Sequence, residues 1–219
     1  MGRPKQFIQL LGSPALLYAL RAFEDAPGVE RIYTVGDQDR IEQVVAEAGI
    51  SKYAGCAKPG WTRSISTKNG LTLCEEDEDT IVLVQDGSRC LITPELVQRV
   101  IEAAREGADG VVPALPVSDT IKVAHDGAVV ETLDRSKLHA VQTPQAFRLG
   151  LLREIHTASD EELSLATDDA SLVERKGGRI SLVYGERTNI KLTSPEDIVL
   201  AEAILLARAR GYGRNGARR

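Results

Sequence analysis

The chain has 219 residues, of which 42% are hydrophobic and 27% charged, with a net charge of −5. This is long enough for one α/β domain with a proper core and too apolar for a disordered chain. The acidic balance speaks against a nucleic-acid binder, which presents a basic face, and no apolar run approaches the ~20 residues that span a bilayer.

In chain order, the start Met1-Gly2-Arg3-Pro4-Lys5-Gln6-Phe7 has no signal-peptide core, so a cytoplasmic location is expected. Amphipathic spacing predicts helices over roughly 14–25, 38–48, 62–75, 94–106, 149–159, 168–177 and 195–209. Between them, short β-branched runs predict strands at Arg31 to Val35, Thr80 to Val84, Gly110 to Ala114 and Arg179 to Val183. Ser13-Pro14, Thr93-Pro94 and Ser194-Pro195 each set a capping hydroxyl before a proline at the first helical position, and Asp197 adds an acid near the last of these starts. Such alternation implies an α/β fold: a mostly parallel, Rossmann-like sheet with helices on both faces. A single domain over 1–208 is expected, followed by a flexible basic tail over 209–219.

One segment interrupts the alternation. Two alternating runs, Thr120 to Ala124 and Ala128 to Leu133, flank His125-Asp126-Gly127, and Asp-Gly is a strong hairpin signal. A two-stranded ribbon is poorly stable alone, so an arm over about 117–136 is expected to pack on something, plausibly a second subunit. The three cysteines, Cys56, Cys74 and Cys90, are odd in number and widely spaced, which gives no disulfide framework and no metal pair. His125, His139 and His156 make no ligand spacing and are expected to be structural or at the surface.

In open parallel sheets, ligands bind beyond the carboxyl ends of the strands. Asp86 stands there after one predicted strand, where a carboxylate can hold Mg²⁺ against a phosphate. Arg89 and Arg135 suit phosphate contact, and Lys191 precedes a capped helix start, where an anion is favoured. Thr167-Asp168-Asp169-Ala170 reads as a capped helix start. Taken singly, each of these also suits an ordinary cap or surface charge; their order along the chain carries more than any one of them.

Read in that order, the segments resemble the 2-C-methyl-D-erythritol 4-phosphate cytidylyltransferases of the non-mevalonate isoprenoid route. The matching pieces are Pro4-Lys5-Gln6-Phe7, Arg63 and Ser66 before Asn69-Gly70-Leu71, Gln85-Asp86-Gly87-Ser88-Arg89, Val117 to Lys122, Thr132 to Arg135, Gln142-Thr143-Pro144-Gln145, Thr167 to Ala170 and Asn189-Ile190-Lys191. The resemblance implies transfer of CMP from CTP to a polyol phosphate, with Mg²⁺ as cofactor and a homodimer joined through the arm. It implies that Lys5, Arg135 and Lys191 act in catalysis, that Asp86 holds the metal, and that Asp86, Arg89, Thr120 and Thr143 lie around the substrate. Gly60, Arg63, Ser66 and Gly87 would meet the nucleotide. A sister family acting on ribitol 5-phosphate shares two of the motifs and is the alternative.

The family opens with a strand and a loop of the form Ala-Ala-Gly-x-Gly-x-Arg directly before a Met-Gly, and these are absent here. The expectation is unpaired ladder groups and uncovered helix faces. Either the reading frame begins upstream, or the chain is a weakly active or inactive dimeric homologue. The loop around Asp86 also departs from the family's His-Asp-Ala-Ala-Arg-Pro, keeping only its acid and its arginine.

Overall fold

A computed structural model describes residues 4–211; Met1-Gly2-Arg3 and the part of the basic tail beyond Gly211 lie outside the described residues. A 3₁₀ turn at Lys5–Phe7 leads into a small ribbon, β1 (Gln9–Leu10) and β2 (Ser13–Pro14). Alternation follows with α1 (Ala15–Asp25), β3 (Ile32–Val35), α2 (Gln38–Ala48), β4 (Tyr53–Ala57) and α3 (Arg63–Leu71). It continues through β5 (Ile81–Val84), α4 (Pro94–Ala104) and β6 (Gly110–Pro116) to the arm, β7 (Lys122–His125) and β8 (Ala128–Thr132). Then come β9 (His139–Val141), β10 (Gln145–Arg148), α5 (Leu149–Ile155), α6 (Asp160–Ser164), α7 (Asp169–Arg175), β11 (Ile180–Tyr184) and α8 (Pro195–Ala209).

The main sheet runs β11-β6-β10-β5, with β9 pairing the far end of β6. β11 is parallel to β6, whereas β10 is antiparallel to both of its neighbours. The sheet is therefore mixed: a reversed strand stands between two strands that run the same way. Successive side chains leave a strand on opposite faces, and the burial follows that rule. Ile81, Leu83, Val111 and Ala146 join the core with α1, α2 and α4. Their neighbours Val82, Val84, Val112 and Phe147 join α3, α5 and α7 on the other side. This is the expected layering, with helices on both faces.

The caps explain where several helices begin. Thr93 Oγ1 accepts from the Leu96 N–H at 3.1 Å with Pro94 inside the first turn, as its sequence predicts. Asp197 accepts from the backbone N–H groups of Thr193 and Ser194, each at 2.7 Å. Ser13-Pro14 behaves differently: it pairs with Gln9–Leu10 as β2, and α1 starts after it without a side-chain cap. Arg208, in the last turn of α8, ties that helix to the body of the domain: its guanidinium donates to Leu91 O and Thr188 Oγ1, both at 2.8 Å.

Two features of the architecture bear on function. The arm turns at Asp126 and Gly127, both with positive φ (48° and 79°), and every residue of β7 and β8 is exposed. The second feature is a division. β3 pairs with β4 alone, and β5 closes one end of the main sheet. A cavity of about 580 Å³ separates them, lined by Ile32–Val35 on one side and Val82–Val84 on the other. Gly36, after β3, and Gly87, after β5, both lie against Gln6, so the two strands end at the same mouth. The expected unpaired ladder edges are therefore present: among the described residues, neither strand has a partner on the cavity side.

Candidate active site

The mouth of this cavity collects charge. Lys5, Arg63, Ser66, Asp86, Gly87 and Lys191 all line it. Each arrives at the carboxyl edge of the sheet by a different route: Lys5 on the 3₁₀ turn, Arg63 on the first turn of α3, Asp86 just after β5, and Lys191 on the approach to α8. Thr62 starts α3 by accepting from the Ile65 N–H at 3.3 Å, which fixes where Arg63 and Ser66 emerge. Ser66 Oγ then donates to Thr62 O at 2.8 Å and accepts from the Gly60 N–H at 3.0 Å, holding Gly60 against the helix.

Asp86 is the centre. Its Oδ2 lies 2.8 Å from Lys191 Nζ, and its Oδ1 accepts from Arg63 Nε at 2.7 Å. Burial opposes ionisation of Asp86, yet Arg63 and Lys191 outweigh it and hold the carboxyl below its ordinary range. Arg63 reaches a second acid behind it, with its NH1 2.5 Å from Asp169 Oδ2. Burial alone would lower the Arg63 guanidinium, but Asp169 and Asp86 reverse this and raise it. The charges alternate in sign along Lys191, Asp86, Arg63 and Asp169, so no member lacks a counter-ion.

Asp169 has no exposed surface. Burial pushes its carboxyl above its ordinary value, and Arg63 offsets this only in part. His156, 3% exposed, sits with Nε2 3.1 Å from Asp169 Oδ1, although neither ring nitrogen has an aligned hydrogen-bond partner among the described residues. Burial lowers His156 to about 4, with Lys68 and Arg63 adding repulsion, so the ring is neutral at physiological pH.

Gln142-Thr143-Pro144-Gln145 acts as the frame beneath the site. Gln142 accepts from the Glu186 N–H at 3.0 Å and donates to Glu186 O at 2.8 Å, which anchors the loop before Lys191. Thr143 Oγ1 accepts from the Asp86 N–H at 3.2 Å, and Thr143 O accepts from Asn189 Nδ2 at 2.9 Å. Gln145 Nε2 donates to Asp168 at 2.6 Å, and its Oε1 accepts from the Ala170 N–H at 3.3 Å, tying down the start of α7. One four-residue segment thus holds three separate stretches of the site in register.

The remaining residues singled out by the sequence do not line the cavity. Thr143 is buried with its hydroxyl engaged by Asp86, and Arg89 spans the backbone, donating to Asn189 O at 2.9 Å and Val141 O at 3.1 Å. Arg135 donates to Ser118 O at 2.8 Å at the base of the arm, and neither it nor the exposed Thr120 lines this cavity. Sequence reasoning missed Asp169 and His156. The signal for Asp169 was present: Thr167-Asp168-Asp169 carries two adjacent acids where a helix start needs one. Nothing in the local pattern marks His156 as a buried neighbour of a carboxylate.

Comparison with known proteins places the chain in a family. The family profile described as IspD: 2-C-methyl-D-erythritol 4-phosphate cytidylyltransferase matches residues 1–207. The chain belongs to this family. It is 63% identical over 210 residues to the 2-C-methyl-D-erythritol 4-phosphate cytidylyltransferase of Rubrobacter xylanophilus, covering 96% of this chain and 91% of that one. It is 43% identical to the enzyme of that name from Bacillus velezensis, with the same coverage. Among solved structures, the 2-C-methyl-D-erythritol 4-phosphate cytidylyltransferase of Thermus thermophilus superposes with a TM-score of 0.77 at 34% identity, over 93% of this chain and 94% of that one. A 4-diphosphocytidyl-2C-methyl-D-erythritol synthase superposes at 0.82, with 33% identity and coverages of 92% and 94%. The chain is thus a cytidylyltransferase-family nucleotidyltransferase on a mixed α/β sheet. No helix among the described residues is long and apolar enough to cross a membrane.

Proposed function

We propose that this chain transfers the cytidylyl group of CTP to 2-C-methyl-D-erythritol 4-phosphate and releases pyrophosphate. A phosphate oxygen of the alcohol attacks the α-phosphorus of CTP; the bond from that phosphorus to the bridging oxygen breaks, and pyrophosphate leaves with the electron pair. Little covalent chemistry falls to the protein, so catalysis is positioning plus stabilisation of charge on the phosphorus oxygens. The observation that carries this reading is Asp86 held between Lys191 and Arg63 at a mouth also lined by Lys5 and Ser66.

Lys5 faces the charge that builds on the α-phosphate. Lys191, the more exposed partner of Asp86, orients the attacking phosphate. Gly60 and Ser66 read the cytosine from the turn before α3, with Arg63 and Gly87 closing the nucleotide side. Magnesium, when bound, neutralises the triphosphate and polarises its oxygens. The residues fit such an ion, since Mg²⁺ takes one or two carboxylates and completes its shell with water and phosphate. Asp86 is the carboxylate on the cavity wall, whereas Asp169 has no exposed surface; an ion at Asp86 would take the place that Lys191 holds on its Oδ2. Among the described residues no three His, Cys, Asp or Glu side chains gather; an ion held at Asp86 would take the rest of its shell from water and substrate phosphate.

The arm supports a homodimer. Val129 and Val130 are 63% and 67% exposed on a ribbon that is marginal by itself, and a second copy of the chain covers them. That arrangement carries Arg135 and Thr120 to the neighbouring subunit's substrate. The reaction belongs in the cytoplasm, where CTP is available.

The test is pyrophosphate release by the purified chain with CTP, Mg²⁺ and either methylerythritol phosphate or ribitol 5-phosphate. Turnover with the first is expected, and Asp86→Asn and Lys5→Ala are each expected to lower kcat/KM by about 10²–10³-fold. Turnover of ribitol 5-phosphate alone would overturn the substrate assignment. Mixing inactive Arg135→Ala subunits with inactive Asp86→Ala subunits is expected to restore part of the activity, because one site of a mixed dimer then has both residues. No recovery would count against a shared site.

A further inference from the structure

Asp168 and Asp169 are neighbours with different duties. Asp168 caps α7, accepting from the Ser171 N–H at 2.9 Å. Asp169 turns inward, has no exposed surface, and meets Arg63 from the side opposite Asp86. We propose that Asp169 is a positioning residue for cytidylyl transfer: it fixes the Arg63 guanidinium and, through it, the carboxylate of Asp86 in the arrangement that receives CTP. The proposal rests on Asp86 and Arg63 serving the nucleotide as described above.

Three observations carry it. First, Arg63 is long and rotamer-rich, and a guanidinium held at one end only is free to wander. Here its Nε contacts Asp86 at 2.7 Å and its NH1 contacts Asp169 at 2.5 Å, so two acids on different elements define the plane of the group. Second, Asp169 is itself immobile. Gln145 on β10 accepts from the Ala170 N–H and donates to Asp168, which pins the peptide on both sides of Asp169. His156 fills the space beside its other oxygen. Third, the arrangement is a poor device for stability alone. Burying a carboxylate beside a guanidinium gives no dependable gain over apolar residues of the same volume. It does give a rigid reference point: Arg63 emerges from the β3–β4 side of the cavity, whereas Asp86 and Asp169 belong to the β5–β11 side. Asp169 therefore holds Arg63 at a fixed place across the cavity.

A double-mutant cycle tests this. Asp169→Asn, which keeps the shape and removes the charge, is expected to lower kcat/KM for CTP at least tenfold while leaving KM for methylerythritol phosphate unchanged. In an Arg63→Ala background the same change is expected to have less than a twofold further effect, since the group that Asp169 positions is gone. Multiplying effects, or an unchanged kcat/KM in the folded Asp169→Asn protein, would overturn the proposal. If Asp169→Asn does not fold, Asp169→Glu keeps the charge but shifts the oxygens. It is then expected to lower kcat/KM at least threefold at an unchanged unfolding midpoint, and an unchanged kcat/KM would overturn the proposal. The Arg63 Nε–H resonance gives a readout independent of turnover. It is expected to be sharp and slowly exchanging in the parent chain and broadened in Asp169→Asn; equal line widths would also sink the idea. A parent chain with no cytidylyltransferase activity but a sharp Arg63 signal would instead show that the functional reading failed.

Discussion

Asp86 and His156 show how burial acts in opposite senses on two titratable groups a few residues' reach apart. The Asp86 side chain is largely covered but flanked by two cations, which hold its carboxyl below the ordinary range. His156 lies deeper, next to an acid it does not bond well, with two cations nearby, and its proton affinity drops to about 4. The linkage has a definite sign. The folded protein binds this proton more weakly than the unfolded chain does, so the penalty is absent above the unfolded value of 6.5. It grows as pH falls from 6.5 and is complete below about 4. Unfolding free energies from urea titrations between pH 7 and 4 are expected to fall with a slope approaching ~1.4 kcal/mol per pH unit from this one group. His156→Gln is expected to flatten that slope; an identical pH profile would show that the histidine does not contribute.

At the scale of single elements, the glycines before and after the site make different demands. A Cβ at Gly60 would lie 2.5 Å from Ile65 Cγ2 and 2.8 Å from its backbone carbon, inside the first turn of α3. Gly60→Ala must therefore displace the turn that presents Arg63 and Ser66. The expected cost is about 1–3 kcal/mol of stability, together with a raised KM for CTP. A Cβ at Gly87 would sit at an ordinary 3.7 Å from Gln6, so Gly87→Ala is expected to stay within about 0.5 kcal/mol of the parent. Thermal unfolding of the pair, with CTP kinetics, separates the two. The same scale shows what the sequence made legible. A run of apolar residues such as Ile81–Val84 announces its strand without help, and Thr93-Pro94 marks its helix start unaided. β10 did not, because Gln145-Ala146-Phe147-Arg148 is short and polar at both ends; its glutamine points to α7, a contact that no local pattern reports. Of the site, Asp86 and Lys191 could be read from their places after strands, whereas Lys5 and Arg63 came from the resemblance alone. For Asp169 the doubled acid of Asp168-Asp169 was a signal, but only its distant partner Arg63 shows what the second acid does.

At the scale of the whole molecule, the sheet among the described residues is held in two portions, β3–β4 and β11-β6-β10-β5, that share helices but no ladder. α1 packs against both α2 and α4, bringing the portions together from one side. Backbone N–H groups on the cavity side of β3 and β5 have no strand to bond. They are expected to exchange their hydrogens orders of magnitude faster than those of β6, which is paired on both sides. Uniform protection across the three strands, read by exchange mass spectrometry, would contradict a divided sheet.

The oily walls of this crevice, Tyr33, Val35, Val82 and Val84 among them, have a practical consequence. Dyes that brighten on meeting apolar surface are commonly used to recognise loosened, partly molten proteins. This chain offers them such a surface while fully native, so a bright signal before any denaturant is added reports the shape of the fold and not its loss.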